Sequence, residues 1–63
     1  MIEEFQELMN AVQDYRQHKA DKDPDAKREY GYLRARIERT WREGRISRMQ
    51  MMTLIGVMEE RDE

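Results

Sequence analysis

A chain of 63 residues forms one domain at most and buries only about 60% of the surface its unfolded form exposes, so alone it is marginal. Lacking Cys and holding a single His, it has neither a disulfide nor an evident zinc site to compensate, which leaves oligomerisation or docking on another protein. Leu, Ile, Val and Phe number only ten against 41% charged residues, a balance that alone suggests disorder; a net charge of only -2, with six Met, three Tyr and one Trp at helical spacing, instead predicts an ordered, all-α protein.

No apolar run is long enough to cross a bilayer, and Met1-Ile2-Glu3-Glu4 lacks the basic start and apolar core of a secretory signal. A cytoplasmic location is therefore expected.

Residues 2–20 are read as the first helix, with Ile2, Phe5, Leu8, Met9, Val12 and Tyr15 on one stripe. Glu3, Glu7, Asn10 and Asp14 run along its other face, an acidic stripe whose plain reading is a solvated back. Asp14 and His18, one turn apart, could share a proton or a metal, but two ligands make half a site and no metal is expected.

The ADKDP segment interrupts the pattern. Pro24 disfavours helix before it, Asp23 is a plausible N-cap and Asp25 adds negative charge near the positive helix end. The second helix is predicted over 24–43, with Ala26, Tyr30, Leu33, Ile37 and Trp41 facing the core and Trp41 as the largest anchor. The short connection makes helices one and two an antiparallel hairpin.

On the far side of the second helix, Arg28, Tyr32, Arg36 and Arg39 follow at intervals of four, four and three, which places an exposed aromatic ring among guanidinium groups. Tyr and Arg dominate protein-binding hot spots, so these four are the candidate partner-binding residues; the plain alternative is a solvated helix back with one stray ring.

Gly44 closes the helix, and Ser47 with Gln50 forms a capping box for the next, with Ile46 and Met51 as its hydrophobic staple. A third, Met-rich helix is predicted over 48–61. Its main stripe, Met51, Leu54, Ile55 and Met58, is the candidate oligomer interface, the alternative being ordinary bundle core. Met49, Met52 and Val57 fall outside that stripe, and Gly56 suggests close approach of another helix.

Charge is segregated: seven acids and three bases over residues 1–25, three and eight over 26–48, four and one over 49–63. Acidic ends around a basic middle favour antiparallel packing within the molecule or across a dimer.

No enzyme is expected, because the single Ser serves the capping box and a Ser-His-Asp or Cys-His set cannot be assembled; no glycine-rich phosphate loop and no cofactor site are seen either. The chain resembles in type the accessory or inhibitor proteins of phages and mobile elements. The leading expectation is thus a small three-helix protein, a homodimer, that binds and modulates a larger protein. A nucleic-acid-binding regulator using Arg42, Arg45 and Arg48 around the turn is the second expectation, and a structural or assembly component the third.

Overall fold

The structure is a computed structural model that describes residues 3–59. It contains three helices and, among the described residues, no strand: α1 is Glu4–Ala20, α2 is Ala26–Arg42 and α3 is Arg48–Met58. Ile2 of the first expected stripe, and the end of the third helix expected at 61, lie outside the described residues.

Both turns use the same device. After α1, the Asp23 N–H donates to the His18 carbonyl and the Lys22 N–H to the Lys19 carbonyl; after α2, the Arg45 N–H donates to Thr40 and the Gly44 N–H to Trp41. Each is a Schellman motif, which needs a left-handed residue at its centre. Gly44 supplies it at φ 77°, whereas the first turn uses Lys22 at φ 57°, a conformation a residue with a Cβ adopts only at a cost.

Each turn then caps the following helix. The Asp23 carboxylate accepts from the Asp25 N–H at 2.9 Å, so Asp23 caps the turn through Pro24 although regular α-helix begins at Ala26. Ser47 and Gln50 bond reciprocally, 2.9 and 3.1 Å, in the expected capping box. Ile46 is buried and Met51 packs on the same core, as a staple requires.

All three helices pack on one another. Leu8, Val12 and Tyr15 of α1, Leu33 and Ile37 of α2, Ile46 of the turn, and Leu54 and Met58 of α3 form the buried core; Phe5, Met9, Ala26, Tyr30, Ile55 and Val57 close its edges. The Tyr15 and Tyr30 rings meet at 5.9 Å with planes 50° apart, a tilted aromatic pair. Burial pushes the Tyr15 phenol above its ordinary pKa, with smaller contributions from Tyr30 and from the Glu29 and Glu59 carboxylates.

Two expectations are corrected by this packing. Trp41 is not a core anchor: it is 38% exposed, while Thr40 is buried. With α1 and α3 both against α2, the inward direction lies between them, which turns Leu33, Ile37 and Thr40 inward and leaves Trp41 on the flank. Thr40 tolerates this because its hydroxyl donates to the Arg36 carbonyl at 2.8 Å.

The second correction concerns Met51, Leu54, Ile55 and Met58. Leu54 and Met58 are 0% and 1% exposed within a single chain, so these two are bundle core and closed to a second molecule, while Met51 and Ile55 are half-buried at the edge of that core. A helix packed on two neighbours consumes its most apolar side internally. No described residue of this chain approaches Gly56, where a Cβ would meet nothing within 4 Å, so the helix expected against it is not one of the chain's own.

Candidate functional site

On α2, the side opposite Leu33, Ile37 and Thr40 is free of packing. Arg28, Tyr32, Ala35, Arg39 and Arg42 recur at four, three, four and three residues, which draws a nearly straight line along a helix, with Arg36 beside it. All six are exposed, and Tyr32 is 73% exposed. No carboxylate lies on this line.

The structure brings the expected partner-binding residues together around two adjoining hollows. Tyr32, Ala35, Arg36 and Arg39 line one of about 250 Å³; Asp25, Arg28, Glu29 and Tyr32 line the next, about 340 Å³. Tyr32 is the wall common to both. Ala35, which the sequence reading passed over, belongs to the first; its position on the 28-32-35-39 line was the available signal.

Ion pairing decides which arginines are committed. Arg34 donates to Glu59 of the α3 cap at 3.3 Å and to the Tyr30 hydroxyl at 3.0 Å, with Tyr30 in turn donating to Glu59. Arg45 donates to Glu4 of α1 at 3.0 Å, and this bond is the main reason the Glu4 carboxyl is held below its ordinary pKa. By contrast Arg28, Arg36, Arg39 and Arg42 form no ion pair among the described residues.

The arginines suggested for nucleic acid fare differently. Arg42 and Arg48 end α2 and begin α3, so they do lie at one end of the bundle, but Arg45 between them is occupied by Glu4. The Asp14–His18 pairing is not formed. His18 instead meets Glu29 of α2, 2.8 Å from Nδ1 to the carboxylate, and that bond leads the causes that raise the imidazole above its ordinary pKa.

A further hollow of about 350 Å³ opens at the first turn. Tyr15, Tyr30 and Ala26 line it together with Lys19, Lys22, Lys27 and Asp23. The sequence reading did not anticipate it, because it needs α1 and α2 in register. No group of His, Cys, Asp or Glu that could hold a metal ion occurs among the described residues, nor is any described helix long and apolar enough to cross a membrane. No family model, curated protein or solved structure matches the chain.

Proposed function

We propose that this chain is a small cytoplasmic interaction protein that lays the outer face of α2 on a larger protein and modulates it by covering that surface, in the manner of an accessory or inhibitor protein. The observation that carries the reading is Tyr32, exposed between two hollows and flanked by Arg28, Arg36 and Arg39 with no ion pair among the described residues. Guanidinium groups not committed to a carboxylate are available to a partner's, and a rigid ring of this kind fills a pocket at low entropic cost. The complementary partner surface is acidic with an apolar centre.

Duplex nucleic acid fits less well: the net charge is -2, the α2 line has Tyr32 and Ala35 at its middle, and α3 offers few polar side chains to base edges. The experiment is affinity capture by the tagged chain from nuclease-treated bacterial lysate, run beside a Tyr32→Ala/Arg39→Ala variant of unchanged circular dichroism. A discrete protein retained by the wild type and lost by the variant, and eluted by raised salt, is the expected result. Equal retention by both would remove α2 from the reading, and recovery that needs nucleic acid would replace the reading with the regulator.

A further inference from the structure

The outer side of α3 is a second surface, independent of α2. Met49, Met52, Gly56 and Glu59 recur at three, four and three residues, half a turn from the buried Leu54 and Met58. Met49 is 79% exposed and Met52 58%. Gly56 sits in this line with ordinary helical backbone and empty space where a Cβ would stand, so neither a turn nor a contact within the chain accounts for a residue that weakens a helix.

We propose that this side is an interface between two copies of the chain, with α3 antiparallel to α3 of the second molecule. About a twofold axis at the level of residue 54, a three-four-three line sets Met52 level with Gly56 of the second copy, and Met49 level with its Glu59. The large side chain then occupies the space that the glycine leaves, twice over by symmetry. Charge selects the same orientation. α3 opens on Arg48 and closes on Glu59, so antiparallel pairing brings each Arg48 to the other copy's Glu59, whereas parallel pairing would set like charges together. Glu59 also accepts from Tyr30 and Arg34, and a carboxylate has about four acceptor sites, enough for a third donor.

The size of the surface sets the strength. α3 has 11 residues and is about 16 Å long, too short to bury the roughly 800 Å² per partner of a stable complex, so association falls in the micromolar to millimolar range.

Sedimentation equilibrium of the full chain from about 10 μM to about 1 mM tests this, with Met52→Lys and Gly56→Gln as variants. The wild type is expected to pass from monomer to dimer, and each variant to bind itself roughly tenfold more weakly or not at all. In dilute solution, Gly56→Gln should melt higher than the wild type, because a helix interior loses its glycine; weaker pairing with a firmer fold separates an interface from a folding defect. Orientation is read by oxidising a mixture of Met52→Cys and Gly56→Cys chains, since the wild type has no Cys: the mixed disulfide should exceed either symmetric one. A wild type that stays monomeric at the highest concentration, or a dimer that neither variant weakens, overturns the proposal. A symmetric disulfide at position 52 in excess overturns the antiparallel arrangement.

Discussion

At the residue scale, the two helix-ending turns form an internal comparison. They share hydrogen-bond pattern and sign of φ but differ in the residue that bears the strain, Lys22 in one and Gly44 in the other. A left-handed conformation costs an ordinary residue about 1–2 kcal/mol, offset in part by the greater unfolded-state freedom of glycine. Lys22→Gly is therefore expected to raise stability by about 0.5–1 kcal/mol, a rise in Tm of a few degrees, and Gly44→Ala to lower it by about 1–2 kcal/mol, both read by thermal melts of dilute protein. Gly44 was legible as a helix stop because glycine announces the left-handed position. At the first turn the sequence showed a break through Pro24 and Asp23, but nothing marked Lys22 as the strained residue, since lysine does not favour that conformation.

At the element scale, α1 and α2 were legible because each has one apolar stripe, and the exposure of Tyr32 followed from its place opposite Leu33 and Ile37. α3 was legible as a helix through its capping box, and its Met51, Leu54, Ile55 and Met58 stripe stood apart from Met49 and Met52. With apolar residues on several sides, however, a wheel cannot say whether that stripe meets the bundle or a second molecule. The packing of α3 on both other helices puts Leu54 and Met58 in the core and leaves Met49 and Met52 outside. The same packing displaced Trp41, since a two-helix hairpin and a three-helix bundle demand different inward directions from α2. The two faces of α3 should separate cleanly in urea unfolding at low micromolar concentration. Leu54→Ala removes a fully buried side chain and is expected to cost about 2–5 kcal/mol. A chain of 63 residues has about 3–9 kcal/mol to lose, so this one substitution removes a large fraction of the total and should shift the urea midpoint markedly. Met52→Ala, at a position 58% exposed, should fall within about 0.5 kcal/mol of the wild type. A comparable loss in both would mean that α3 is rotated from the arrangement described.

For the whole molecule, the acidic-basic-acidic division of the sequence becomes a set of ties between elements: Arg45 to Glu4, Arg34 to Glu59, and His18 to Glu29, each joining segments of unlike charge. The division was legible beforehand, but the His18 partner was not, because the nearest carboxylate by helical spacing is Asp14 while the hairpin register brings Glu29 to the imidazole. Of these ties only one titrates near neutrality, and the chain has a single His. The pKa of His18 is raised in the fold, first by its hydrogen bond to Glu29 and then by the charge of that carboxylate. Its contribution is therefore complete below the unfolded-state value of about 6.5 and is lost as pH rises through the higher folded value. Tm should decline as pH rises from below the unfolded-state value through the higher folded one, and His18→Gln should flatten that decline. NMR titration of the imidazole should show a midpoint above the unfolded value, returning toward it in Glu29→Gln. A decline that survives in His18→Gln would mean that the pair between α1 and α2 does not form in solution.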